Sequence, residues 1–328
     1  MVDPRRAEPI VIRMEARIVE DTYGIAPPGY RLPGAARLGK VVLQVADLER
    51  SLAYYQGVIG FAVLRREADR AELGPRAGPV LLELRERKGA RPVPRRGLLG
   101  LYHFAILLPG RSPLAGFVRH LAEQGERAGM SDHLVSEAVY LTDPDGLGIE
   151  VYADRPRESW QAVDRQLVMA TNPLDVESLM SAARDGRWEG IPEGTVIGHV
   201  HLFVGSIEPA ARFYHEGLGF DKMVWSYPGA LFLGAGGYHH HLGTNTWAAG
   251  APPAGVDDAR LIEWEVIVPS TEDAGRALDS IDSVDGRIDR DGAGGTARDP
   301  WGTVVRVRAA TTPPPPSRGG APAAPSPS

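Results

Sequence analysis

The hydrophobic positions of this chain occur in short alternating runs, a pattern that predicts strands joined by turns with few long helices. Apolar and less apolar residues alternate over 39–45, as expected for a half-buried strand. Asp47 follows at a typical N-cap position, before a helix predicted over 48–56. Further strands are predicted over 61–67 and 80–87. The unit is therefore a strand, a helix and three more strands.

This unit recurs along the chain, because three pairs of segments match at a nearly constant offset. The pairs are GKVVLQVADLERSLAYYQGVIGF (39–61) with GHVHLFVGSIEPAARFYHEGLGF (198–220), YHFAILLP (102–109) with IEWEVIVP (262–269), and DPDGLGIEVY (143–152) with DPWGTVVRVR (299–308). Internal repeats in register indicate repeated structural units. We predict an α+β fold of four βαβββ modules, at about 40–88, 101–154, 198–247 and 261–309.

The modules group into two predicted domains, 38–154 and 195–310, each with two modules. Three other segments flank or join them: an N-terminal arm (1–37) expected to lie across the first domain, a linker (155–194) with one docked helix (173–184), and a Pro-rich tail (311–328). The tail consists mainly of Pro, Ala, Ser and Gly, which cannot bury a core, and we expect it to be disordered.

Composition narrows the class of protein. Hydrophobic residues make up 43% of 328 positions and charged residues 24%, as in ordinary globular proteins. A net charge of −6 without a basic, aromatic stripe disfavours nucleic-acid binding, and no run approaches the roughly 20 apolar residues of a membrane span. Without a secretory signal pattern we expect a cytoplasmic protein, with a homo-oligomer left open. Without cysteine, a metal site must use His, Asp or Glu.

The most informative polar residue is Glu150. It interrupts the apolar run 149–152, shortly after the DPDG turn at 143–146. A carboxylate among apolar residues costs free energy unless it is paired or bound to a cation. A nearby arginine, Arg155 or Arg157, is one candidate partner, and a metal ion is the other.

Histidines at matching positions of two modules favour the metal. His103 and His199 stand at the start of the first strand of modules two and three. A lone histidine at a strand start is more often a hydrogen-bonded core residue, so the case depends on the matching positions. Two histidines and one carboxylate with open coordination positions suit Fe(II), or less selectively Mn(II).

Other histidines and aromatic residues are candidates for the same cavity. In the run 239–241, a period of two places His240 on one side and its neighbours on the other. His201 lies on the same strand face as the candidate ligand His199, whereas His120 and His215 are expected at the surface. Three aromatic residues are candidates either for a ring pocket or for ordinary core packing: Trp225, Phe232 and Trp247.

Three segments resemble the vicinal oxygen chelate superfamily and, within it, the two-domain catechol 2,3-dioxygenase (extradiol) group. They are GLYHFAILLP (100–109), DHLVSEAVYLTDPDGLGIEVYADRPR (132–157) and GYHHHLGTNTW (237–247). The module pattern over 39–309 is typical of the whole superfamily, which includes glyoxalases, fosfomycin-resistance enzymes and bleomycin-binding proteins. The resemblance implies an Fe(II) cofactor, with Mn(II) as the alternative, and a small aromatic diol and O2 as substrates.

The resemblance also implies a ligand set. Two strand-initial histidines and a glutamate of a final strand hold the metal in extradiol enzymes, and these correspond to His103, His199 and Glu150. In the better-known two-domain members, modules three and four carry the site. Here module four has Glu263 and Arg306 at the ligand positions. The site therefore requires module two to pair with module three, and module one with module four.

Three further roles follow from the resemblance. The family's catalytic tyrosine lies ten residues before the glutamate, which is the position of Tyr140. The histidine that precedes this tyrosine corresponds to His133, as a hydrogen-bonding partner of the substrate oxygens. The acid–base histidine corresponds to His240, with His241 as the alternative register.

Two other classes of protein stay open on the sequence. A glyoxalase-type isomerase or metal-dependent transferase prefers a fourth protein ligand, and no histidine accompanies the candidates Glu83 and Glu263. A drug-binding resistance protein would need no metal. The substitution Glu150→Ala separates these classes, because a binder should keep its ligand whereas a dioxygenase should lose metal and activity together.

Overall fold

The computed structural model describes residues 23–184, 187–292 and 294–311. Within them, each predicted module folds as a strand, a helix and three strands, so the predicted α+β fold of four modules is confirmed. Most of the predicted tail, 312–328, and the first part of the predicted arm, 1–22, lie outside the described residues.

The elements follow the chain in module order. Modules one and two comprise β1 (Arg37–Val45), α1 (Leu48–Tyr54), β2 (Ala62–Arg66), β3 (Arg70–Gly74), β4 (Leu82–Glu86), β5 (Gly100–Leu107), α2 (Arg111–Gln124), β6 (Gly129–Asp132), β7 (Ser136–Thr142) and β8 (Gly148–Asp154). The connecting segment holds β9 (Ala162–Val163), β10 (Gln166–Leu167), β11 (Asn172–Pro173) and α3 (Val176–Met180). Modules three and four comprise β12 (Val196–Phe203), α4 (Ile207–Ala211), β13 (Asp221–Val224), β14 (Ala230–Gly234), β15 (Leu242–Asn245), β16 (Arg260–Val268), α5 (Thr271–Ser283), β17 (Arg287–Arg290), β18 (Gly294–Arg298) and β19 (Val304–Ala309).

The first helix begins where the sequence predicts. A side-chain oxygen of Asp47 accepts a hydrogen bond from the backbone N–H of Arg50 at 3.0 Å, which satisfies an otherwise unpaired donor at the helix start. The helix continues past Tyr54 as a π-helical turn, Tyr55–Ile59. Gly60 closes this turn at φ 93°, a conformation that L side chains rarely adopt.

The strands form two large mixed sheets, and each sheet takes one module from each half of the chain. In the nine-stranded sheet the order is β11-β6-β7-β8-β5-β12-β15-β14-β13. In the eight-stranded sheet it is β17-β18-β19-β16-β1-β4-β3-β2. Module two therefore pairs with module three through antiparallel β5 and β12, and module one with module four through antiparallel β1 and β16. We call these the two–three sheet and the one–four sheet.

One hydrophobic core joins the two sheets. Alternate residues of β5 and β8, such as Phe104 and Ile149, point into this core together with β1 residues such as Leu43, and all are fully buried. The intervening residues of β5 and β8 lie on the opposite face of the two–three sheet, because successive side chains of a strand alternate in direction. That opposite face carries His103 and Glu150.

Two matching hydrogen bonds also cross between the sheets. The hydroxyl of Tyr55 in module one donates to Asp143 of module two at 3.1 Å. The hydroxyl of Tyr214 in module three donates to Asp299 of module four at 2.9 Å. Both contacts are buried, and they hold consecutive modules together although those modules belong to different sheets.

The described part of the N-terminal segment, 23–36, corrects one expectation. It lies against module three, where Ile25 bridges to Lys222 and the Arg31 guanidinium pairs with Asp221 at 2.7 Å. The expectation that this segment lies across the first predicted domain, 38–154, is therefore wrong for these residues. An ion pair between positions so distant in sequence leaves no signal in local periodicity.

The connecting segment contains the expected helix in a shorter form. α3 is capped by Asp175, whose side chain accepts from the backbone N–H of Ser178 at 2.9 Å. β11 extends the two–three sheet by pairing with β6. None of the helices in the described ranges is both long and apolar enough to cross a membrane.

Candidate metal centre

Strand register brings the three predicted ligands to one point. Ala105 in β5 is the register partner of Glu150 in β8 on one side and of His199 in β12 on the other. His103 lies two residues before Ala105 on the same face of β5. Directly paired residues of neighbouring strands project to the same side, so the three larger side chains converge over Ala105. The small alanine leaves room for them.

The donor atoms of the three side chains lie within contact distance of one another. Nε2 of His103 is 3.0 Å from Oε2 of Glu150, and Nε2 of His199 is 3.1 Å from the same oxygen. The two Nε2 atoms are 3.3 Å apart. The residues are 5%, 2% and 2% exposed for His103, His199 and Glu150. The three side chains are therefore buried.

The electrostatics favour the protonation states that bind a cation. Burial raises the pKa of Glu150, but the imidazoles of His199 and His103 outweigh this and hold that pKa well below its ordinary value. Burial lowers the pKa of His103, against the opposing effect of Glu150. An ionised Glu150 carboxylate and a neutral His103 imidazole are the states in which these two side chains ligate a metal.

The spacing fits a divalent metal ion. Ligand atoms about 2.1 Å from one ion and at right angles to each other lie about 3 Å apart, which matches the three observed distances. Among the described residues, these three side chains form the one group of His, Asp and Glu close enough to share an ion. Two histidines and one carboxylate on one face leave further coordination positions for small molecules.

Tyr140 and His133 form a hydrogen-bonded pair beside the triad. Tyr140 in β7 is the register partner of Glu150, which places it on the same face. Its hydroxyl lies 2.5 Å from Nε2 of His133, and Nδ1 of His133 lies 2.6 Å from the carbonyl oxygen of Ala170. Since a carbonyl only accepts, Nδ1–H of His133 donates to it, and Nε2 accepts from the tyrosine. Burial, and then the charge of Glu150, raise the pKa of Tyr140 well above its ordinary value.

The histidine run 239–241 is buried, and its members have different environments. His240 lines the cavity at the triad, and its ring centroid lies 4.1 Å from that of His199. His241 points elsewhere, since its Nδ1 accepts from the backbone N–H of Ala235 at 3.2 Å. Of the two registers considered from the sequence, the structure places His240 beside the candidate ligands.

A chain of hydrogen bonds runs from His240 toward the surface. Nδ1 of His240 is 2.8 Å from Nδ1 of His239, and Nε2 of His239 is 2.8 Å from a carboxylate oxygen of Asp154. The Asp154 side chain is 25% exposed. Burial, with His199 and His239 adding to it, lowers the pKa of His240 well below its ordinary value, so its ring is neutral near pH 7. Sequence reasoning missed Asp154, although it shares the face of Glu150 four residues before it.

The triad opens into a cavity of about 380 Å³. Phe232 and Trp247 line it, as two of the three aromatic candidates, whereas Trp225 is not among its lining residues. The connecting segment contributes 169–171, which the sequence gave no reason to place here. Its proximity follows from tertiary packing of the carbonyl of Ala170 on His133.

Of the remaining histidines, His201 lies at the cavity as its strand face predicts, whereas His215 is not at the surface. His201 lines the cavity and its Nε2 is 3.0 Å from the side-chain nitrogen of Asn245, which therefore donates to it. His215 was expected at the surface, but it is 4% exposed and its Nδ1 is 2.7 Å from the carbonyl oxygen of Phe220. That expectation is wrong, because the π-helical turn Arg212–Gly217 buries this residue. His120 is half-buried, with Nε2 3.0 Å from the carbonyl oxygen of Gly57.

Comparison with known proteins agrees with this fold. The family model described as the Glyoxalase/Bleomycin resistance protein/Dioxygenase superfamily matches residues 37–151 and 196–307. These segments contain the four modules, and the chain belongs to this superfamily. It is 47% identical over 241 residues to the catechol-2,3-dioxygenase of Bacillus subtilis (strain 168), an alignment that covers 72% of this chain and 84% of that protein.

Solved structures share the fold at low sequence identity. A provisionally assigned dioxygenase from Bacillus subtilis superposes with a TM-score of 0.60 at 11% identity, covering 87% of each chain. A mutant of glyoxalase I from Zea mays gives a TM-score of 0.53 at 18% identity, covering 84% of this chain and 94% of that one. At such identities the similarity shows the fold alone.

Proposed function

We propose that this protein is an Fe(II)-dependent extradiol dioxygenase that cleaves a catechol-type aromatic ring with O2. One observation carries the proposal: a buried triad of two imidazoles and a carboxylate shares one cavity with three groups able to handle protons, Tyr140, His133 and His240. The 47% identity to a protein named catechol-2,3-dioxygenase supports the same reaction.

The triad His103, His199 and Glu150 would hold the metal. Bound Fe(II) would supply positions for the two diol oxygens and O2, lower the pKa of a coordinated hydroxyl and connect ring and oxygen electronically. The three donor atoms lie within 3.3 Å of one another, close enough to share one ion.

His240 is the base for the substrate hydroxyl. Nε2–H of His239 donates to Asp154, which leaves Nδ1 of His239 as acceptor for Nδ1–H of His240. Nε2 of His240 is then the unprotonated nitrogen, and it makes no hydrogen bond to a described residue. A neutral imidazole in this tautomer takes a proton from the substrate at Nε2 and returns one later.

Tyr140 stabilises negative charge on the substrate oxygens, and His133 orients its hydroxyl. The raised pKa of Tyr140 keeps its hydroxyl protonated, so it stays a hydrogen-bond donor at neutral pH. Its present acceptor, Nε2 of His133, is a side chain of the same cavity, and the hydroxyl can turn from it to a bound oxygen. Donors positioned in advance act without reorganisation during the reaction.

The reaction breaks the ring bond adjacent to the diol and places both atoms of O2 in a ring-opened hydroxymuconic semialdehyde. The test is anaerobic purification, loading with Fe(II) and measurement of oxygen uptake on catechol, with ¹⁸O2 followed into the product by mass spectrometry. One O2 consumed per catechol with two labelled atoms in the product is expected. No uptake by protein with confirmed bound iron would overturn the proposal, and parallel loading with Mn(II) decides between the two metals.

The glyoxalase-type alternative has weaker support. Its metal sites prefer a fourth protein ligand, and the group found among the described residues contains three. A ligand-binding protein without metal would keep its ligand after Glu150→Ala, whereas the proposed enzyme should lose metal and ring cleavage together.

A further inference from the structure

A second and larger cavity lies beside the metal cavity. Its volume is about 1440 Å³, against about 380 Å³ for the metal cavity. The two share four lining residues: Tyr102, His103, Tyr140 and Trp247. We call the larger cavity the outer groove; its walls are the segments 93–98 and 246–252 together with Gly146, Phe203 and parts of β5, β7 and β8. One metal-ligand candidate, His103, therefore borders both spaces.

Aromatic rings lead from the metal ligand into the outer groove. The ring of Tyr102 lies 4.7 Å from that of His103 and 4.7 Å from that of Phe203, between centroids. The ring of Trp247 lies 5.7 Å from that of Tyr102, and this tryptophan is 51% exposed. An exposed tryptophan beside other rings offers a flat apolar surface to a ligand. The rest of the lining is mostly Leu, Ala, Gly and Pro.

The charge in the outer groove has one sign. Apart from His103, the titratable side chains with basic character that line it are Arg95 and Arg96, and no aspartate or glutamate is among its described lining residues. Both arginines are exposed, and neither forms an ion pair with a described residue. On a chain with net charge −6, a groove whose fixed charges are two guanidinium groups attracts anions selectively.

We propose that the substrate is a catechol carrying an extended apolar arm that ends in a carboxylate. The diol ring occupies the metal cavity, the arm lies along Tyr102 and Trp247 in the outer groove, and the carboxylate is bound by Arg95 and Arg96. This inference rests on the proposed dioxygenase function and specifies its substrate class. Unsubstituted catechol would leave the outer groove unused, whereas the arm buries apolar surface against the aromatic rings.

The test compares an acid and a neutral analogue of equal size. The probes are a 3-substituted catechol with a straight five-carbon carboxyalkyl arm and its primary amide. For the iron-loaded wild type, kcat/KM for the acid should exceed that for the amide by roughly tenfold, as expected for a charge-assisted hydrogen-bonded pair. The double variant Arg95→Gln/Arg96→Gln should reduce this ratio to about one. The control Arg287→Gln, at an exposed arginine on β17 of the one–four sheet, should retain it.

Equilibrium binding separates the two levels of the proposal. Dissociation constants for acid and amide, measured by calorimetry without O2, should show the same preference in wild type and its loss in the double variant, with folding checked by circular dichroism. Equal binding of both probes to wild type, or a preference that survives in the double variant, would overturn the inference. Preferential binding of the acid without cleavage of any diol would count against the dioxygenase function and leave the anion-binding groove standing.

Discussion

The two sheets have the same module plan and opposite chemistry at equivalent positions. The positions held by His103, His199 and Glu150 in the two–three sheet are held by Glu263, Lys40 and Arg306 in the one–four sheet. There the side chains pair among themselves: Lys40 with Glu83, and Arg306 with Glu263 at 2.8 Å. One sheet presents two imidazoles around a carboxylate, and the other presents ion pairs between its own side chains.

This difference shows that the fold alone does not supply a metal site. Burial raises the pKa of Glu83, but Lys40 and Arg85 outweigh it and hold that pKa below its usual value. Hydrogen bonds to Glu263 and Asp291 raise the pKa of Arg306. Every carboxylate at these positions already has a cationic partner from the chain. A metal site needs a carboxylate whose neighbours are neutral, so function lies in side-chain choice on a common backbone.

The largest effect is expected from a substitution at one position that the two sheets share, held by Glu150 in the two–three sheet and by Arg306 in the one–four sheet. Glu150→Ala removes the anionic ligand, and ring cleavage of catechol should fall by at least roughly 10⁴-fold, since the proposed chemistry requires the bound metal. Arg306→Ala, the matched change in the one–four sheet, should keep the rate within about threefold when compared per folded chain. Steady-state oxygen uptake measures both. Similar losses in the two variants would break the contrast.

The next effect tests the assignment within the histidine run. His240→Asn should lower kcat by roughly 10³-fold while leaving metal content unchanged, because it removes the proposed proton acceptor and leaves all three proposed ligands in place. His241→Asn provides the matched control, since His241 is buried but lies outside the cavity. Metal content and kcat are measured on the same preparations. If His241→Asn slowed turnover more than His240→Asn, His241 rather than His240 would be the acid–base residue.

Asp143 makes a pH-dependent contribution to stability. It accepts the hydrogen bond from Tyr55 that joins the two sheets. Burial, with Asp145 adding to it, raises the pKa of Asp143 to about 6, against hydrogen bonds from the chain that lower it. The folded state then holds a proton that the unfolded chain, with a pKa near 3.8, releases, so stability from this group falls as pH rises from about 4 to 6. Relative to wild type, Asp143→Asn should gain up to about 3 kcal/mol over this window.

Urea unfolding of wild type and Asp143→Asn at pH 4 and pH 7 measures this gain. The quantity compared is the difference in unfolding free energy between the two proteins, which should be larger in favour of the variant at pH 7. Asp285→Asn, at a side chain 89% exposed, controls for the loss of a surface carboxylate. A constant stability difference between wild type and Asp143→Asn at the two pH values would show that the buried carboxyl does not titrate in this window.

The smallest effect lies in the ion pairs of the one–four sheet. Lys40→Met removes one of the two cations at the 2% exposed Glu83 and leaves Arg85. We expect a loss of about 1–2 kcal/mol in the free energy of unfolding, because a buried carboxylate loses one of its two charged partners. Metal content should not change. Chemical denaturation and metal analysis of one preparation check both statements, and a loss of bound metal would contradict the separation of the two sheets.

Much of the architecture can be predicted from the internal sequence repeats. The match of 39–61 with 198–220 predicts the modules, and the charged residues at Glu263 and Arg306 predict that a metal site requires module two to face module three. The structure pairs the modules in that way. These inferences succeed because period-two patterns and internal repeats record which residues share a face.

Other features depend on packing between distant segments and leave no local pattern. The carbonyl of Ala170 reaches His133 from a segment with no repeat partner, and Ile25 pairs with Lys222 across most of the chain. Burial of His215 follows from a π-helical turn that helical spacing does not reveal. Asp154, by contrast, could have been predicted from the sequence. Alternation along β8 places it on the same face as Glu150.

The most direct test of the central claim is the metal-to-chain ratio after anaerobic reconstitution with Fe(II). We expect one iron per chain in wild type, held by the two–three sheet, and close to none in His199→Ala. A ratio of two would mean that the one–four sheet also binds metal, and one iron retained by His199→Ala would mean that the triad is not the site.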